Sequence, residues 1–192
     1  MKTLVLASNN KHKIDEVKQI LNNYEVLSLN DIGFNKDIIE DGKTFEENAL
    51  IKAREVHRYL IDKNLEYTVI ADDTGLCVNG LNGKPGVLSA RYASDHDDKI
   101  NRQKVMEDID GKDRSAYFKC VIAVIYKDGI EKTFSGITEG KIIKEEIGDT
   151  SFGYDCIFYS NDLNKTFGEA NKDEKNSVSH RARALEKMKN EL

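Results

Sequence analysis

The stretch YTVIADDTGL, residues 67–76, constrains the fold more than any other. Val69, Ile70 and Ala71 follow one another without the apolar–polar alternation of a half-exposed strand. Such a run predicts a central parallel strand, because parallel strands are covered on both faces by crossover helices. Asp72 and Asp73 come next, and Thr74-Gly75 then reads as a turn. Two carboxylates at the end of a buried strand are costly unless a cation or a proton meets them. Open α/β sheets bind ligands beyond the carboxyl ends of their strands. Strand side chains alternate between faces, so one aspartate is expected to face a ligand site while the other shapes the turn. A hard cation such as Mg²⁺ takes oxygen ligands, and an aspartate beside it can orient or deprotonate water. An ordinary Asx turn before Gly75 is the alternative and needs no ligand.

The flanking segments agree with a mixed α/β chain. KTLVLA reads as a strand, SNNK as a turn, and HKIDEVKQIL as a helix with Ile14, Val17, Ile20 and Leu21 at helical spacing. YEVLSL is a short strand. DGKTFEENALIKAREVHRYLIDK predicts a long helix with Thr44 as N-cap and Glu47 completing a capping box. Residues 95–110 read as a strongly charged helix, and residues 115–145 as two or three strands with a hairpin at Asp128-Gly129. SVSHRARALEKMKNEL reads as one final helix entered through Ser177 or Ser179. The expected architecture is an elongated mixed β-sheet with flanking helices. The 192 residues suit one domain, 1–192, with two lobes.

Composition narrows the function. The formal net charge of −5 argues against general nucleic-acid binding, which rests on neutralising phosphates with Lys and Arg. No apolar run approaches the roughly 18 residues of a membrane span, so no membrane role is expected. The N-terminus lacks the apolar stretch and cleavage site of a signal peptide. Cys77, Cys120 and Cys156 are scattered, with neither zinc spacing nor a disulfide framework. A reducing cytoplasm is the expected setting.

Four further segments hold polar residues that local structure does not demand. In SNNKHK a helix follows a strand, and free N–H groups at a helix start attract anions. Ser8 and Asn10 would add donors there and Lys13 a charge; an ordinary capped loop is the commoner explanation of such a segment alone. Glu40 precedes a glycine turn, with Lys52 two helical turns beyond the cap, and either binds a metal or belongs to a solvated acidic loop. Phe152, Gly153, Tyr154 and Asp155 form a flat slot for a ring or else a strand entrance with core aromatics. Lys175, His180 and Arg181 gather positive charge near the start of the last helix, where it opposes the dipole; this marks either an anion site or a surface cluster. Taken together, the segments describe an enzyme for a Mg²⁺–nucleoside triphosphate.

The ordered set SNNKHKIDE, TFEENALIKA, ADDTGL, GVLSARYA, FGYD and EKNSVSHRARAL resembles the inosine/xanthosine triphosphate pyrophosphatases from near residue 4 to near residue 187. The resemblance implies hydrolysis of non-standard purine nucleoside triphosphates (ITP, dITP, XTP) between the α and β phosphates, with Mg²⁺ required. It implies an α/β fold of two lobes around a central cleft, and a homodimer. By position, Ser8, Asn10 and Lys13 match the phosphate loop. Glu40 and Asp73 match the metal acids, with Asp73 also activating water. Lys52, Thr74 and Lys175 match phosphate or substrate contacts, Phe152–Asp155 the base segment, and Ser179, His180 and Arg181 the final substrate motif. Asn9 stands where glycine is common, and Cys156 where proline is frequent. Three rivals are a pyrophosphatase for pyrimidine or modified nucleotides, a nucleotide sensor without turnover, and a nucleic-acid-binding protein. The sensor would not need Glu40 and Asp73 together.

Overall fold

The structure, a computed structural model, describes residues 2–192. Seven strands lie in one mixed sheet in the order β2-β1-β3-β4-β5-β6-β7. They are β1 (Lys2–Leu6), β2 (Tyr24–Leu27), β3 (Thr68–Val78), β4 (Ser115–Ile125), β5 (Glu131–Ile142), β6 (Phe158–Ser160) and β7 (Lys165–Thr166). The helices are α1 (Lys11–Ile20), α2 (Phe45–Asp62), α3 (Asp98–Asp108), α4 (Lys172–Val178) and α5 (His180–Lys189). β1 runs parallel to both β2 and β3, with Val5 opposite Leu27 and Val69. β6 is antiparallel to β5 and β7. This is the mixed sheet with flanking helices that the sequence predicts.

The chain groups into two compact units. The first holds Met1–Asp73, Val121–Ser135 and Ala184–Leu192; the second holds Thr74–Cys120 and Gly136–Arg183. In the first, Leu4, Val5, Leu6, Val69, Ile70 and Ala71 are buried, as two-face coverage of parallel strands requires. α2 buries Phe45, Ala49, Ala53, Val56 and Leu60, a stripe recurring every three or four residues. Its capping box is complete: Thr44 Oγ1 accepts from Glu47 N at 3.1 Å, and Glu47 Oε2 accepts from Thr44 N at 3.2 Å. In the second unit, Phe118, Phe158 and Phe167 form an aromatic centre, with centroids of 4.6 Å and 5.1 Å for the pairs sharing Phe158. The hairpin at Asp128-Gly129 forms as predicted, with Gly129 at φ +83° and Tyr126 N donating to Ile130 O at 2.9 Å.

Two expectations are corrected. β3 does not end at the aspartates; it continues through Thr74 and Gly75 to Val78. The Asx turn is therefore absent, and neither aspartate shapes a turn. Cationic partners allow a strand to carry two adjacent carboxylates through a buried stretch. The last helix is two helices, broken at Ser179, which is extended at φ −66° and ψ 152°. Ser179 Oγ accepts from Ala182 N at 3.1 Å, so it does open α5. Lys175 accordingly lies in the last turn of α4, where its charge favours the dipole instead of opposing it.

No helix of the described residues is long and apolar enough to cross a membrane. All three cysteines are free and buried.

Candidate active site

In the first unit, alternation along β3 sends Asp72 and Asp73 to different partners. Asp72 meets Lys13 Nζ at 3.1 Å. Lys13 is placed by the start of α1, where Asn10 is the N-cap and its Oδ1 accepts from Lys13 N at 3.2 Å. Ser8 Oγ accepts from Asn10 N at 3.1 Å. Ser8, Asn10 and Lys13 thus share one turn, and Asp72 holds the lysine. Asn9 also contributes, since its Oδ1 accepts from Asn30 N at 3.0 Å and ties the loop to the segment after β2.

Asp73 faces α2. Lys52 sits on the buried stripe of that helix at 8 % exposure. Its Nζ is 2.6 Å from Glu40 Oε2 and 3.8 Å from Asp73 Oδ1. Two carboxylates from distant parts of the sequence therefore converge on one ammonium. Burial pushes the Lys52 pKa down, but Asp73, Asp72 and Glu40 outweigh it and leave it above the ordinary lysine value. For Asp73 burial dominates and raises the carboxyl above the usual range, against the pull of Lys52 and Lys13.

Asn48 completes this cluster, and the sequence reading missed it. It is buried on the α2 stripe, four residues before Lys52. Its Nδ2 donates to Asp73 Oδ2 at 3.1 Å, while its Oδ1 accepts from Gly42 N at 2.8 Å. One amide thereby joins the loop after Glu40 to Asp73, and fixes which aspartate oxygen faces Lys52. The available signal was a second polar residue, beside Lys52, in register with Phe45, Ala49 and Ala53 on a largely apolar face. Gly42 matters here because a Cβ on it would lie 2.6 Å from Asn48 Oδ1. Gly42→Ala is expected to cost about 1–3 kcal/mol, the scale of displacing a buried hydrogen-bonded group. It should also lower activity through Asp73; thermal unfolding and initial rates on the same sample check both.

The donor set fits Mg²⁺. Glu40 and Asp73 both approach the Lys52 ammonium, and Mg²⁺ is commonly held by one or two carboxylates plus water and substrate phosphates. Among the described residues no group of three or more His, Cys, Asp or Glu side chains is arranged to hold a metal.

In the second unit, Lys175 is 8 % exposed. Its Nζ lies 2.6 Å from Asp155 Oδ2 and 5.0 Å from the centre of the Phe152 ring. His180 stacks on Phe118 at 4.8 Å and 16°. Arg181 is 1 % exposed, and its Nη2 is directed to Thr74 Oγ1 at a long 3.5 Å. These basic residues are interior groups, so the surface-cluster alternative is set aside. Tyr154 is held by a hydrogen bond from its hydroxyl to Ser89 O at 2.6 Å. Ser89 also accepts from Leu76 N at 2.9 Å through its Oγ, which gives the GVLSARYA segment a structural purpose.

A lysine that bridges two carboxylates lies in one unit, and an aromatic–lysine–carboxylate cluster in the other. The chain belongs to the Ham1 family, whose model matches residues 4–191. It is 46% identical over 199 residues to the dITP/XTP pyrophosphatase of Clostridium perfringens, covering 100% of this chain and 98% of that protein. It is 45% identical over 194 residues to the Bacillus subtilis protein of the same name, covering 98% and 96%. The Ham1 protein of Staphylococcus aureus superimposes with a TM-score of 0.86 at 40% identity, covering 100% of this chain and 98% of that one. A Ham1 protein from Coxiella burnetii gives 0.87 at 38% identity, with the same coverage.

Proposed function

We propose that the protein hydrolyses ITP, dITP and XTP to the monophosphate and pyrophosphate in a Mg²⁺-dependent reaction, cleansing the nucleotide pool. The observation that carries this reading is the convergence of Glu40 and Asp73 on Lys52, 2.6 Å and 3.8 Å from its ammonium. The dITP/XTP pyrophosphatase names of full-length relatives support the substrate class.

Glu40 and Asp73 are the residues that would hold Mg²⁺, which when bound neutralises phosphate charge and lowers the pKa of water. Asp73 orients the attacking water and takes its proton. Lys13 and Lys52 are carboxylate-paired cations suited to exchange part of that pairing for phosphate oxygens. Ser8, Asn10 and the start of α1 supply donors to the same anion. Stabilising this charge is the main catalytic task in phosphoryl chemistry.

The base falls to Phe152–Asp155, with Lys175, Ser179, His180 and Arg181 around it in the fold of the second unit. Hypoxanthine and xanthine carry a 6-oxo group and N1–H, whereas adenine carries a 6-amino group and a bare N1. Donors aimed at O6, from Arg181 or the N–H groups near Tyr154 and Asp155, would go unpaired against adenine. Each such loss costs about 1–3 kcal/mol when buried. Guanine shares the 6-oxo group, so its rejection rests on the 2-amino group.

A homodimer in a cytoplasmic setting belongs to the same proposal, and light scattering in solution tests the dimer. The reaction is tested by pyrophosphate release from ITP, XTP, GTP, ATP and dTTP, with Mg²⁺ and with a chelator. Mg²⁺-dependent release from ITP and XTP far above the rest is expected. Release mainly from dTTP would overturn the substrate class, and tight ITP binding without release would favour the sensor.

A further inference from the structure

The main chain of Gly153, in the FGYD segment, is gripped on both sides by another element. Its N–H donates to Asp98 Oδ2 at 2.7 Å. Its carbonyl accepts from Arg102 Nη1 at 2.8 Å. Asp98 and Arg102 are four residues apart on α3, so they project from one face of that helix. Arg102 is 3 % exposed, and its Nε is anchored by Glu146 Oε1 at 2.8 Å. Gly153 is left-handed at φ +51°, and a Cβ there would meet nothing within 4 Å. The glycine is therefore demanded by backbone conformation, not by crowding.

We propose that Asp98 and Arg102 are positioning residues that set base selectivity by clamping the Gly153 main chain. The inference rests on the assignment of Phe152–Asp155 to the base. The clamped residue directly follows Phe152 and lies two before Asp155, the pair that brackets Lys175 at 5.0 Å and 2.6 Å. Tyr154 is pinned separately to Ser89. With both polar groups of Gly153 and the Tyr154 hydroxyl taken, the segment has few ways to move toward a base with an extra exocyclic group. Rejecting a near-isostere demands that rigidity, because a segment that yields can re-pair its donors with the wrong base. Neither clamp residue is in the catalytic cluster of the first unit, so its loss should act on base recognition.

The test compares Asp98→Ala, Asp98→Asn, Arg102→Met and Arg102→Lys, with Lys104→Ala as a control elsewhere on α3. Steady-state constants for ITP and GTP are measured with Mg²⁺, and ITP binding is measured by calorimetry in a chelator. Asp98→Ala and Arg102→Met are expected to raise KM for ITP about tenfold, with a smaller fall in kcat. They should narrow the ITP-over-GTP ratio of kcat/KM by a similar factor, smaller than the roughly 10²-fold cost of a full ångström of misplacement. Asp98→Asn keeps an oxygen acceptor for the Gly153 N–H and should restore the wild-type ratio. Arg102→Lys keeps the charge but not the fork, and should fall between. An unchanged ratio in Asp98→Ala and Arg102→Met, or an Asp98→Asn no better than Asp98→Ala, would overturn the clamp. Absence of ITP binding and turnover in the wild type would instead overturn the base assignment on which it stands.

Discussion

Asp73→Asn is expected to lower kcat on ITP by about 10²- to 10⁴-fold, the range for losing a positioned base. The fold should be as stable as the wild type or more so. The substituted amide keeps an oxygen for Asn48 Nδ2 and removes a charge that burial disfavours. The sign follows from linkage. A carboxyl whose folded pKa is raised contributes stability that is full below its unfolded value and lost as pH rises through the folded one. Asp73 is raised from 3.8, so metal-free wild type should weaken across the acid range above that value. The neutral variant has no such loss. Its Tm advantage, measured in a chelator, should therefore grow with pH and level off once Asp73 is ionised in the wild type. A near-wild-type kcat would remove Asp73 from the role of base, and a Tm gap that shrinks with rising pH would contradict the dominance of burial.

Lys175→Met should be the most destabilising of the site substitutions. It removes the cation 2.6 Å from the buried Asp155 carboxylate. Breaking one side of a buried pair costs about 3–5 kcal/mol, because the remaining charge is left uncompensated. The Lys175→Met/Asp155→Asn double variant should recover a large part of that stability, since a neutral amide replaces the stranded carboxylate. It should not recover activity, because both groups are assigned to the base. Denaturant unfolding of the two singles and the double gives the coupling directly. Additive effects would show that the pair is not coupled as its geometry requires.

Local signals made the first unit legible. Thr44 and Glu47 announce the start of α2 through short-range hydrogen bonds, and the unbroken Val69–Ala71 run announces a covered strand. Asp73 could be nominated because carboxylates at the end of an apolar run need partners, whereas Glu40 and Lys52 stood out by their place around a capped helix and were assigned through the family resemblance. What could not be read was the path of β3 beyond Asp73. Thr74-Gly75 looks locally like a turn, and only partners far away in sequence, Lys13 and Lys52, let the strand carry both aspartates and run on. The break at Ser179 was hidden for the same reason: the helical spacing of the last segment continues across it. Asp98 and Arg102 were lost in a strongly charged helix, because nothing local shows that Arg102 lies inside.

The role proposed for Asp73 and Glu40 is hydrolysis at the α–β phosphate bond. Phosphorus NMR of ITP turned over by the wild-type protein with Mg²⁺ tests it most directly. Inosine monophosphate and pyrophosphate are expected in equal amounts, with both signals abolished by a chelator and nearly so by Asp73→Asn. Inosine diphosphate and orthophosphate, or turnover indifferent to the chelator, would contradict that role.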